Sequence, residues 1–139
     1  MSTILCATRG GEASYHAQNR AIALAQERDA TLVFFFVADV QFLSHTRAPI
    51  VVDAEVEIEH MGEFLLLMAK ERAEKAGVQA GTLVKHGDFR EALKAAIRET
   101  GSDTVVFGSP RARNKTTVEY LQNLSQELAD EFGVETVIA

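Results

Sequence analysis

One cysteine, two prolines and no tryptophan stand among 139 residues. Cys6 alone closes no disulfide within the chain, which excludes the cross-linked frameworks of small secreted domains and predicts a reduced, cytoplasmic setting. Proline and glycine nowhere gather into a linker, so a single domain over residues 1–139 is expected. Long apolar runs are missing too. The richest, TLVFFFVADV from Thr31, is far short of the roughly 20 residues that span a bilayer, and MSTILCATRGGE carries no basic leader region. A soluble protein with no membrane partner is expected. Basic charge is in deficit, 14 Lys and Arg against 20 Asp and Glu. A net charge of -6 argues against general nucleic-acid binding, which depends on neutralising many phosphates.

What is present is a regular alternation. Thr3 to Thr8, Thr31 to Ala38, Gly81 to His86, Thr104 to Phe107 and Val134 to Ile138 are short apolar or β-branched runs bounded by turn residues, and they read as five strands. The segments between them have helical periodicity. The first, Glu12 to Arg28, puts Ala13, Ala17, Ala21, Leu24 and Ala25 on one stripe. The second, from about Ala54 to Ala76, puts Met61, Phe64, Leu65, Met68 and Ala69 on its expected core face, with Gly77 as a stop. The third opens on Asp88 with Glu91 three residues later and runs through Leu93, Ala96 and Ile97 to Gly101. The fourth repeats the device at Thr116 and Glu119, with a stripe of Val118, Leu121, Leu124, Leu128 and Phe132. Strands alternating with helices predict a parallel α/β sheet covered on both faces. Residues 39–53 form the one long connection, a flap or a short element of its own.

Ligands of such sheets bind beyond the carboxyl ends of the strands. That rule selects Thr8-Arg9-Gly10-Gly11, Ala38-Asp39 and the basic stretch GSPRARNKT from Gly108. Glycines there permit tight turns whose N–H groups face an anion, and Arg9, Arg111, Arg113 and Lys115 would gather at one edge. The equally weighted alternative is that the glycines only make turns and the cations are solvated. Neither G-x-x-x-x-G-K-[ST] nor G-x-G-x-x-G occurs. Strand one ends in Thr8-Arg9, where a phosphoacceptor domain would carry aspartate. Glu55, Glu57 and Glu59 read as a solvated helix start, and the four histidines lack zinc-ligand spacing, so no metal is assigned. Ser14, Ser109 and Cys6 are the nucleophile candidates. None has a local base or nucleophile elbow, so no catalytic residue is assigned.

ILCATRGGEAS, AQNRAIALAQERDATLVFFFV, VKHGDFREALKAAIRETGSDTVVFGSPR and the final VETVIA, in this order and spacing, resemble the universal stress protein family. The resemblance implies a Rossmann-like three-layer sandwich: a five-stranded parallel sheet of order 3-2-1-4-5 with four helices. It also implies a cytoplasmic homodimer tied to stress tolerance, paired through the terminal strand at Val134, Thr136, Val137 and Ile138. Its candidate nucleotide or anion positions are Thr8, Arg9, Gly10, Val37, Gly108, Ser109, Arg111, Gln122 and Asn123. One branch of the family binds ATP through G-x2-G-x9-G-[ST] after strand four, with an aspartate ending strand one. Here Gly108 matches the first glycine, Arg111 stands at the second, and the last pair is Leu121-Gln122, or Gln122-Asn123 when counted back from the final strand. Arg9 replaces the aspartate. The resemblance so read implies a dimeric sensing or interaction module of the non-ATP or altered-ligand type. The alternative is an atypical site for ATP, AMP or another anion at the same loops, with slow ATP hydrolysis. A protein partner is the further possibility.

Overall fold

The computed structural model describes residues 2–8, 12–38, 48–108 and 115–139, and the side chains of 2–8, 15–38, 57–108 and 119–139. Their elements run β1 (Thr3–Thr8), α1 (Glu12–Arg28), β2 (Thr31–Ala38), α2 (Ala48–Lys75), β3 (Ala80–His86), α3 (Phe89–Thr100), β4 (Thr104–Phe107), α4 (Lys115–Phe132) and β5 (Glu135–Ile138). The strands form one sheet of order β3-β2-β1-β4-β5, and every neighbouring pair is parallel. This is the α/β sandwich expected from the alternation.

The apolar strands are continuous because successive side chains serve different layers. Ile4, Cys6, Leu32, Phe34 and Phe36 pack under α1 and α2, against Ala17, Ala21, Leu24, Ala25, Leu66, Ala69 and Ala73. Leu5, Ala7, Phe35, Val105 and Phe107 pack under α3 and α4, against Leu93, Ala96, Ile97, Leu121, Leu124 and Leu128. Phe34 and Phe35, neighbours in sequence, are thus both fully buried in opposite cores. The stripes expected for α1, α3 and α4 are the buried ones wherever their side chains are described.

In α2 the expected core face is corrected. Met61, Phe64 and Met68 are 54%, 62% and 47% exposed, and the buried face is Gly62, Leu66, Ala69 and Ala73. Small residues won this face because α2 lies close on β2. A Cβ built on Gly62 would sit 2.8 Å from Phe36 Cγ and closer still to two further ring atoms. The same helix begins at Ala48, six residues before the expected start. Pro49 then falls in the first turn, where its missing N–H would have no helical partner.

Two smaller boundaries also shift. Helix α4 starts at Lys115, so Thr116 lies inside its first turn and does not precede it as a cap. Strand β5 starts at Glu135, and Val134 is instead buried in the α3–α4 core, after Gly133 has turned the chain at φ 70°. The cap of α3 is as expected: Asp88 accepts from the Glu91 N–H at 3.1 Å, and Gly101 closes the helix in the left-handed region.

Polar contacts close the amino end of the sheet. Arg28 donates to Thr104 Oγ1 at 3.0 Å and pairs with Glu135 at 3.2 Å, and Ser2 donates to Asp103. Between α3 and α4, Lys94 Nζ lies 2.9 Å from both Glu127 and Glu131, and Arg90 and Arg98 extend the ladder at either side. The carboxyl end of the sheet is therefore the end left to the loops.

Candidate functional site

Strands β2, β1 and β4 lie side by side, so the loops that follow them leave from one edge. The register pairs Thr8 with Phe36 on β2 and Cys6 with Val106 on β4. Continued by two residues, it sets Gly108 level with Thr8. Val37 is one step beyond Phe36 and faces the α3–α4 layer, whereas Thr8 shares the α1–α2 face with Ile4 and Cys6. Thr8, Val37 and Gly108 thus all lie at the carboxyl ends of neighbouring strands, with Thr8 and Val37 on opposite faces of the sheet. Arg9, Gly10, Ser109 and Arg111 lie outside the described residues, as do Gly11, Asp39 and Arg113.

Gln122 and Asn123 are placed differently. Both are exposed, and both are interior to α4. Leu121, the other position at which the ATP motif would want its late glycine, is buried among the α3–α4 core residues. Residues six to eight positions into a continuous α-helix have their N–H groups bonded to carbonyls four residues back. Those amides are therefore spent on the helix and cannot wrap a phosphate.

Gln122 lines a different feature, a groove of about 460 Å³ between α4 and β5 that also involves Ser125, Gln126, Val134, Glu135 and Thr136. The Ser125 hydroxyl is buried there without a hydrogen-bond partner. Among the described residues strand β5 pairs only with β4. Glu135 and Ala139 give their N–H groups to Asp103 and Phe107, so the alternate residues Thr136 and Ile138 turn theirs to the open edge. Thr136 and Val137 are half-buried, and Ile138 is exposed.

A polar thread unread in the sequence runs inward from Thr8. The Thr8 hydroxyl accepts from Gln18 Nε2 at 3.1 Å, and Gln18 Oε1 accepts from Arg72 Nη2 at 2.8 Å. The Arg72 guanidinium also reaches Asn19 and stacks over the Tyr15 ring, 4.4 Å from its centroid, joining α2 to α1. Thr8 and Gln18 are both buried. The available signal was Gln18 itself, standing on the same helical face as Ala21 and Ala25, where a polar side chain needs a partner. The thread fixes the Thr8 side chain from within, so its hydroxyl is held by the fold.

Cys6, the buried nucleophile candidate, is inert at neutral pH. Burial pushes its thiol up to about 12, against the opposing pull of the Arg72 charge. Among the described residues no three His, Cys, Asp or Glu side chains gather to hold a metal ion, and no helix is long and apolar enough to cross a membrane.

The model of the universal stress protein family matches residues 1–132. Among solved structures, a protein of the universal stress protein family from Burkholderia pseudomallei is 25% identical, with a TM-score of 0.74 over 99% of this chain and 95% of that one. A universal stress protein in complex with cAMP is 21% identical, with a TM-score of 0.68 over 99% and 96%. A family protein from Arabidopsis thaliana with AMP bound is 14% identical, with a TM-score of 0.63 over 99% and 90%. No curated protein sequence matches the chain.

Proposed function

Because the chain belongs to the universal stress protein family, we propose that it serves the stress response as a dimeric, cytoplasmic sensing or interaction module, without catalysis and without the ATP cradle. The observation that carries this reading is the course of α4. Leu121, Gln122 and Asn123 are embedded in a helix that starts at Lys115, so neither register of the motif offers free amides to a triphosphate. Arg111 in place of the second glycine also blocks close backbone approach. A guanidinium is a planar bidentate donor, so Arg9 and Arg111 are residue types suited to a phosphate or carboxylate.

Dimerisation through β5 is supported by its open edge and by the groove beside it, where the Ser125 hydroxyl lacks a partner. A second reading keeps a nucleotide at the strand ends in another pose. The cAMP-bound and AMP-bound structures of similar fold favour it.

Thermal denaturation with ATP, AMP, cAMP and inorganic phosphate separates the two. A ligand that binds only the native state adds about 2.7 kcal/mol at about 100 times its Kd. The first reading expects no shift from ATP, and loss of any phosphate-induced shift in the Arg9→Ala/Arg111→Ala protein. A nucleotide shift that survives both substitutions refutes it in favour of the second.

A further inference from the structure

Helix α2 is apolar on two opposite sides. Gly62, Leu66, Ala69 and Ala73 face β2 and β3. On the far side, about 110–170° round at 3.6 residues per turn, stand Met61, Phe64, Leu67 and Met68. All four are large and about half exposed, between 47% and 62%. The outer faces of α3 and α4 carry Glu91, Arg98 and Glu99, and Gln122, Gln126 and Asp130, as surface helices should. Four such side chains in one patch amount to about a few hundred Å², the size of the largest apolar patch on a typical monomer, which is often functional.

The charges around the patch say what covers it. Exposed residues along its centre line are Glu57, Met61, Phe64, Met68, Glu71 and Lys75, at alternating spacings of four and three. That is the seam of a two-helix coil. Reversed about Leu66, the line sets Phe64 against Met68 of a second copy, Met61 beside Glu71, and Glu57 against Lys75 at each end. Glu57 and Lys75 have no ion-pair partner among the described residues. Parallel pairing would instead set Glu57 on Glu57 and Lys75 on Lys75, a like-charge arrangement that selects against it. We propose that the outer face of α2 is a self-association surface, on which a second copy of this chain packs antiparallel about a twofold axis near Leu66. The contact is isologous, so one patch supplies both halves. It lies over β2 and β3, away from the β5 edge, so with that edge paired it would join β5 dimers into larger assemblies.

Two experiments test it. Threonine 136 turns its N–H to the open edge, so Thr136→Pro leaves the β4 ladder intact while removing a donor that any β5 pairing would use. The Thr136→Pro protein should sediment at twice the 15.2 kDa chain mass, and Thr136→Pro/Phe64→Glu at that mass with unchanged helical circular dichroism. In the second, the Glu57→Cys/Lys75→Cys protein is oxidised. The two sites are about 27 Å apart along one helix, too far to join within a chain, and the native Cys6 is buried. Covalent dimer should form from the double variant and not from Glu57→Cys alone. A Thr136→Pro monomer of native spectrum, or cross-linking by Glu57→Cys alone, overturns the proposal. So does a monomer that floats with anionic lipid vesicles, which would give the face to a membrane.

Discussion

Replacing Gly62 by alanine adds one methyl group at the point where α2 comes nearest to the sheet. In an open helix this substitution stabilises by about 0.8–1.0 kcal/mol, because alanine has less backbone freedom to lose. Here the new Cβ would lie 2.8 Å from Phe36 Cγ and nearer still to Cδ1 and Cε1. Phe36 is 5% exposed and held between β2 and α2, so its ring has little room to withdraw. Overpacking of this kind costs about 1–3 kcal/mol and exceeds the helical gain. The net expectation is a loss of up to about 2 kcal/mol, read as a fall in Tm of up to about 8 °C for a domain of this size. Urea denaturation followed by circular dichroism measures it directly. Phe36→Leu supplies the control, because a shorter side chain leaves space for the methyl group. In that background Gly62→Ala should be neutral or stabilising, with a coupling of about 1–3 kcal/mol between the sites. Stabilisation by Gly62→Ala in the Phe36 protein would mean that the helix does not rest on that ring, and the α2 placement argued above would be wrong.

Other outcomes follow from single contacts. Asp88→Ala should cost about 0.5–2 kcal/mol in urea denaturation by leaving the Glu91 amide without its acceptor, and Asp88→Asn should recover most of it. The Lys94 hydrogen bond holds the Glu127 carboxyl below its ordinary 4.5, so the advantage of wild type over Glu127→Gln is present above that value and is lost as pH falls through the depressed one. Denaturation midpoints of the two proteins should converge in acid, and a gap independent of pH would contradict the assignment. At the other extreme Lys94, raised by the same bonds, keeps its contribution below 10.5 and loses it as pH rises past its elevated value. A Lys94→Met protein should approach wild-type stability there.

The parallel sheet and the helix count were legible because each strand is a short apolar run and three helices have a single apolar face, whereas the strand order came from the family resemblance. Helix α2 was misread for a physical reason: with Met61, Phe64 and Met68 outside and Leu66, Ala69 and Ala73 inside, periodicity marks two faces, and bulk points to the wrong one. Gly62, a glycine inside a helical pattern, was the residue that told them apart. In the candidate site, Thr8 and Gly108 were nominated by the strand ends, and Val37 only by the resemblance. The Gln18–Arg72 thread was not legible, since it joins residues 54 positions apart, and neither was the place of Gln122 inside α4, since motif spacing carries no helix register.

Titration calorimetry of the purified full chain with ATP tests the central claim most directly, because it reports any saturable binding of the triphosphate. With Leu121, Gln122 and Asn123 inside α4, the account predicts no saturable heat, that is, binding weaker than a Kd of about 1 mM or about 4 kcal/mol. A saturable one-to-one isotherm with Kd near 1 μM, about 8 kcal/mol, would contradict it.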